Sequence, residues 1–124
     1  MLNLKYSVPE GFLNEETRRD YTISETMKKA WAVQMDLFQE LMRVCKEHNL
    51  RVFADSGTLI GAVREKGFIP WDDDIDVAML REDYDKLLEL SAEFKDPYYL
   101  QTISTHPYYI NRYAQLHMKG TTAI

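Results

Sequence analysis

Four aspartates fall within five residues, Asp72, Asp73, Asp74 and Asp76, interrupted only by Ile75. They follow Trp71 directly and lead into the apolar run Val77-Ala78-Met79-Leu80. Alternate side chains of a strand share a face, so Asp74 and Asp76 point the same way, ~6.6 Å apart along the chain at ~3.3 Å per residue. Carboxylates crowded like this repel one another unless some are protonated or a cation lies between them. Hard oxygen donors of this kind select Mg²⁺, Mn²⁺ or Ca²⁺. The spacing therefore points to a divalent-cation site on a strand, with Mg²⁺ or Mn²⁺ as cofactor. The alternative is a solvated acidic turn, which is what most charge runs are. Against it stand Trp71, Ile75, Val77 and Met79, since a turn that only needs water has no use for apolar anchors on either side. A calcium loop is disfavoured. Asp72, Asp74 and Asp76 match its first three ligand positions, but Val77 occupies the place of the bend-forming Gly and Asp83 that of the bidentate Glu.

A second cluster lies upstream. A strand ending in Ser56-Gly57 and entering a short helix at Thr58 presents backbone N–H groups that suit a phosphate, or else makes an ordinary turn with Gly61 allowing close packing. Seventeen residues separate Gly57 from Asp74, enough for one short helix to bring the chain back and set the two clusters side by side. Arg64 and Lys66 lie between them. Arg64 is the better phosphate ligand by chemistry, because its guanidinium makes paired hydrogen bonds, whereas Lys66 reads as a solvated surface residue. Cys45 is read as a small apolar core residue, and with His48, His106 and His117 it completes the chain's Cys and His, too few for a thiolate zinc site. His117 is either a site residue or a satisfied, half-buried histidine.

These residues need elements to carry them. Residues 1–20, with Pro9, Gly11 and a charged cluster, read as an arm, and residues 21–124 as one domain. Thr22 with Glu25 fits a capping box for a long helix whose apolar side is Met27, Ala30, Trp31, Phe38, Leu41, Met42 and Cys45. Asn49 is its stop, since Asn tolerates the left-handed conformation. Residues 51–55 read as a strand, 58–64 as about two helical turns ended by Gly67, and 74–80 as a second strand, with Trp71 as a buried packing anchor. A further helix starts at Glu82 and Asp83, buries Tyr84, Leu87, Leu88, Ser91 and Phe94, and closes at Asp96-Pro97. Residues 98–100 and 113–118 are strand candidates, and 120–124 read as a turn into another element, so that the domain is incomplete at its C-terminal end.

The chain has 124 residues, 45% hydrophobic and 28% charged, which suits one globular domain. Fifteen Lys and Arg against 20 Asp and Glu leave a net charge of −5, which disfavours a general nucleic-acid partner. No apolar run reaches the ~18–20 residues of a membrane span, and the first residues lack the apolar stretch of a secretion signal, so the expected location is the cytoplasm.

Taken together, Asp55-Ser-Gly-Thr-Leu-Ile-Gly-Ala-Val-Arg64, Gly67-Phe-Ile-Pro-Trp-Asp-Asp-Asp-Ile-Asp76 and Arg81-Glu-Asp-Tyr84 resemble the LicD family of phosphotransferases. They also resemble the wider nucleotidyltransferase fold, with its Gly-Ser or Gly-Gly turn and Asp-hydrophobic-Asp strand. The resemblance implies a mixed α/β nucleotidyltransferase-type core, a small mixed sheet flanked by helices. It implies metal-dependent transfer of phosphocholine, or a related substituted phosphate, from a cytidine diphosphocholine-like donor to a glycan such as lipopolysaccharide or teichoic acid. Peripheral membrane association would come only through the acceptor. By motif match Asp74 and Asp76 become metal ligands, Asp72 a further catalytic acid, Ser56, Gly57 and Thr58 the phosphate side, and Arg64 a substrate contact. The fold's pattern often adds a third carboxylate from a later strand, and residues 113–118 hold none, which leaves that role to Asp72 or the site incomplete. A nucleotidyltransferase moving a nucleoside monophosphate and a non-catalytic metal- or nucleotide-binding module are the alternatives.

Overall fold

The structure, a computed structural model, describes residues 3–102, 105 and 113–121. It is a mixed α/β chain in which, among the described residues, the strands pair as three two-stranded antiparallel ladders. Two compact units are distinguished, Met1–Gln39 with Val52–Ala78, and Glu40–Arg51 with Met79–Ile124.

The first unit opens with a hairpin. Strands β1 (Glu16–Arg18) and β2 (Tyr21–Ile23) pair with Thr17 opposite Thr22. The intervening Arg19 and Asp20 both have positive φ, 51° and 59°, the left-handed pair that matches the twist of hairpin strands. Thr22 is thus a strand residue, not the helix cap expected of it. Helix α1 (Glu25–Glu47) is capped by Ser24, whose Oγ accepts the Met27 N–H at 3.2 Å. Ile23, Trp31, Ala32, Leu37, Ile69 and Pro70 are buried here, while Ala30 of the expected apolar face is exposed. That face departs from the simple period because the helix also buries polar residues: Asp36 accepts the Tyr6 N–H at 3.0 Å.

Strand β3 (Phe53–Ala54) pairs with β4 (Val77–Ala78). The strand expected over 74–80 is therefore only two residues long. It begins only at Val77 because the Asp76 N–H donates to Thr58 Oγ1 at 2.8 Å and not to a neighbouring strand. Between the two strands run helix α2 (Ser56–Ile60) and a π-helical turn (Gly61–Glu65), closed by Lys66 at φ 55° and not by Gly67. Gly61 is required by close approach, since a Cβ there would collide with the Gly67 carbonyl oxygen.

In the second unit, α1 ends as expected at Asn49, φ 56°. The Leu50 N–H donates to the Cys45 carbonyl at 2.8 Å and the Asn49 N–H to that of Lys46, the double bond pattern of a left-handed helix stop. Leu41, Val44, Cys45 and Leu50 are buried and Met42 is exposed. Helix α3 (Arg81–Glu89) buries Leu87, with Tyr84 and Leu88 half-buried. It ends seven residues before Asp96, and a short 3₁₀ turn at Ser91–Glu93 leads on to buried Phe94. Strands β5 (Tyr98–Gln101) and β6 (Gln115–Met118) pair from Tyr98–Met118 to Gln101–Gln115. Most of the expected turn at 120–124 and the candidate ligand His106 lie outside the described residues.

Candidate functional site

The acidic segment and the Ser56-Gly57 turn meet in the first unit. After β3, Asp55 donates its N–H to the Asp76 carbonyl at 3.1 Å, and Thr58 holds the Asp76 N–H, so the returning arm is fastened by two bonds beyond the short ladder. Ser56 turns the chain with φ 50°, a left-handed geometry that costs a non-glycine residue roughly 1–3 kcal/mol and tends to be kept at functional turns. Gly57 leaves room for a neighbour: a Cβ there would stand 2.5 Å from Asp72 Oδ2, so the carboxylate would have to turn away. The bare Cα lets a carboxylate lie against the first turn of α2.

A cavity of about 410 Å³ opens at this junction. Its polar side is Thr58, Lys66, Asp72 and Asp74, with Gly57 beside them, and its apolar wall includes Met35, Phe38, Phe68, Ile69 and Ile75. Four residues expected at a site, Gly57, Thr58, Asp72 and Asp74, are thus brought together. Ser56, Asp76 and Arg64 are not among the lining residues. Arg64 donates to Glu65 Oε1 at 3.1 Å, and the same carboxylate is held by Arg19 at 2.5 Å. The cation on the cavity is Lys66, which residue chemistry had set aside. Its position could have been read by counting in fours from Thr58 through Ala62, the interval that repeats one face of a helix.

Asp74 carries the electrostatic signature of the site. Partial burial pushes its carboxyl above the usual carboxylate range, and the charges of Asp76 and then Asp73 push it further. Among the described residues no three His, Cys, Asp or Glu side chains converge to hold a metal ion. This donor set does not make an all-protein cage. It suits instead the way Mg²⁺ is usually bound, by one or two carboxylates with the remaining positions left to water and substrate phosphates. Asp74 and Asp76 are the pair whose mutual repulsion a cation would relieve. Asp72 lines the cavity with Asp74, and β6 holds no acid.

The anchor of the acidic segment differs from expectation. Trp71 is 50% exposed and makes an edge-on contact with Tyr21, ring centres 6.0 Å apart. The buried indole is that of Trp31, 2% exposed, whose Nε1–H donates to the Asp72 carbonyl at 2.7 Å. Pro70 and Ile69 carry the burial expected of Trp71.

The other chemistry-bearing residues have structural partners in the second unit. Cys45 is buried, and its burial pushes the thiol up and away from reactivity. His48 Nε2 lies 2.9 Å from Glu93. His117 is half-buried, stacked on Tyr99 at 5.1 Å and 3.2 Å from Gln115 Oε1, which matches the satisfied histidine of the two readings.

Comparison with known proteins bears on the same residues. A 65-residue stretch, 52% of the chain, is 38% identical to the lipopolysaccharide cholinephosphotransferase LicD of Haemophilus influenzae and covers 24% of that protein. Over 83 residues, 67% of the chain, it is 35% identical to uncharacterised proteins of Rickettsia prowazekii and Rickettsia typhi, covering 30% and 26% of them. The chain therefore spans under a third of the length of these curated relatives. No solved structure matches it. Residues 49–119, more than half of the chain and the whole of the Ser56 to Asp76 site, match the family described as LicD/FKTN/FKRP, nucleotidyltransferase domain, and the chain belongs to that family.

Proposed function

We propose that this chain carries the donor-binding part of a metal-dependent transferase that moves phosphocholine, or a related substituted phosphate, from a cytidine diphospho-donor to a hydroxyl of a cell-surface glycan such as lipopolysaccharide or teichoic acid. Its place of work would be the cytoplasm; no helix among the described residues is long and apolar enough to cross a membrane. The observation that carries the reading is the cavity on which Thr58, Lys66, Asp72 and Asp74 meet beside Gly57.

Transfer of a substituted phosphate asks the protein to position groups and to neutralise charge more than to form covalent intermediates. Mg²⁺ or Mn²⁺ held by Asp74 and Asp76 would supply positive charge to the donor's phosphates. The Thr58 hydroxyl accepts the Asp76 N–H, which leaves its own proton to donate to a phosphate oxygen. Lys66 offers a compact cation to the same oxygens. Asp72 accepts the proton of the attacking glycan hydroxyl as its oxygen bonds to phosphorus. The phosphoanhydride bond then breaks, and cytidine monophosphate leaves with the bonding electrons. The apolar wall of Met35, Phe38 and Phe68 suits a headgroup that presents methyl groups over one that needs hydrogen bonds on every side.

Product analysis tests this reading. With a donor labelled separately in its nucleotide and its phosphocholine, and lipopolysaccharide oligosaccharide as acceptor, the phosphocholine label should move to the glycan in the presence of Mg²⁺ or Mn²⁺. The reading is lost if the nucleotide label moves, which marks a nucleotidyltransferase. It is lost too if neither label moves when the donor binds a form of the protein extended to the length of the curated relatives, which marks a binding module.

A further inference from the structure

We infer that Trp31 is a positioning residue for the acidic segment, setting the direction of the Asp72 and Asp74 carboxylates through its single indole N–H. The inference rests on the proposed metal role of that segment and adds a residue to it from a distant helix.

The indole is held from several sides. One face stacks on Phe68, with ring centres 4.7 Å apart and planes 9° from parallel. The Arg18 guanidinium lies 5.6 Å and the Lys28 ammonium 5.4 Å from the ring centre. Lys28 is itself fixed by an ion pair with Glu16 of β1. A ring so enclosed has one orientation, and its only polar atom is a donor. That donor meets the Asp72 carbonyl at 2.7 Å across 41 residues of sequence.

The indole therefore grips both ends of one short segment, Phe68 by its face and Asp72 by its edge. Between these ends Ile69 and Pro70 are buried, and the Asp72 N–H is turned back to the Ile69 carbonyl at 2.9 Å. With its N–H and its C=O each hydrogen-bonded, the Asp72 backbone is restrained and with it the direction of the Cα–Cβ bond. The carboxylate lies against Gly57. Asp74, two residues on, then arrives at the cavity. On the other side the β4 ladder begins only at Val77, and the bonds of Asp76 to Asp55 and Thr58 hold the segment two residues beyond Asp74. Outer groups that orient metal-holding carboxylates commonly govern affinity by ~10–100-fold.

Trp31→Phe keeps an aromatic ring for the Phe68 stack and removes the donor. Mn²⁺ affinity of this chain, measured by calorimetry well below the melting transition, should fall ~10–100-fold in Trp31→Phe. Leu37→Ala, a buried change on the same helix at a residue that does not line the cavity, should lower the melting temperature and leave Mn²⁺ affinity at the wild-type value. Wild-type affinity in Trp31→Phe, or an equal loss of affinity in both variants, overturns the positioning role and leaves the metal reading intact. Failure of the wild-type chain to bind Mn²⁺ overturns both.

Discussion

Gly57 and Asp72 are in such close approach that a single methyl group on the glycine would stand 2.5 Å from a carboxylate oxygen of the aspartate. Two stretches that look separate in sequence, the Ser-Gly turn and the head of the acidic run, are thereby one feature. Gly57→Ala must push Asp72 aside or distort the first turn of α2. Because the obstructing atom is the end of a side chain that can turn away, the cost should lie at the low end of the ~1–3 kcal/mol of overpacking. A urea melt of the variant should show that loss, and Gly57→Ala combined with Asp72→Ala should recover part of it, because the second change removes the obstruction. A purely local helix effect gives the reverse sign, since Ala favours helix over Gly.

Thr58 couples the same two stretches through hydrogen bonding. Removing its hydroxyl in Thr58→Val takes the 2.8 Å partner from the Asp76 N–H at an exposed position that water can reach, so the loss should be no more than the ~0.5–1.5 kcal/mol of an ordinary hydrogen bond. Thr58→Ser keeps the acceptor and should stay within about 1 kcal/mol of wild type in the same chemical melt. Equal melts for the two variants would show that the bond contributes nothing.

The two tryptophans have opposite roles to those their neighbours imply. Trp31→Ala removes a fully enclosed ring and should cost ~3–5 kcal/mol. Trp71→Ala removes a half-exposed ring whose main aromatic contact is the edge of Tyr21, for which ~0.5–1.5 kcal/mol is expected. Urea midpoints of the two variants should rank in that order.

The case of Trp71 shows where sequence stops being informative. Position after a buried proline and before a charged run marks a connection that must be anchored, but it does not say which aromatic side chain does the anchoring. The partner that does so is 41 residues away on α1, and pairing at that distance leaves no local pattern. Helix α1 was legible in its long apolar period and in Asn49, because both depend on backbone geometry within a few residues. Its cap was missed because Thr22 and Ser24 are chemically alike, and only the hairpin, with its turn at Arg19-Asp20 lacking glycine or asparagine, claims Thr22 for a strand. The acidic cluster and the Ser-Gly turn were legible as chemistry. Lys66 was not, since Arg64 is the better phosphate ligand by type, and that its neighbour Glu65 holds it while being held in turn by Arg19 of the hairpin turn shows only in the fold.

Acid should expose the ion pair at the start of α3. Asp83 accepts the Arg51 side-chain Nε–H at 2.8 Å and the Arg51 backbone N–H at 3.0 Å, and these bonds hold its carboxyl below the usual carboxylate range. A carboxyl depressed on folding contributes stability above its unfolded value, about 3.9, and that contribution is lost as pH falls through the folded value. Wild type should therefore melt above Asp83→Asn at neutral pH, and the gap should close as the pH is lowered below 3.9 toward the folded value. A gap that persists unchanged in stronger acid would assign the effect to packing.

At Asp74, function and stability should pull in opposite directions. Its ionised carboxylate faces the charges of Asp76 and Asp73 in a partly buried position, so that without a cation the folded segment holds repulsion which the unfolded chain relaxes. Asp74→Asn removes that repulsion and should raise the melting temperature of the metal-free chain, by an amount in keeping with the ~0.2–1 kcal/mol of charge pairs near the surface. The same change removes a ligand, so excess Mg²⁺ should stabilise wild type and do little for the variant. A ligand binding only the native state adds about RT ln(1 + [L]/Kd), ~2.7 kcal/mol at a hundredfold excess over Kd, which thermal unfolding resolves. A solvated acidic turn gives neither effect, because water and salt screen exposed carboxylates and leave them little hold on Mg²⁺. Four melts, wild type and Asp74→Asn with chelator and with Mg²⁺, decide the matter. The site reading requires the variant to be the more stable in chelator and wild type to gain the more from metal, and four superimposable curves would return residues 72–76 to the status of a charged loop.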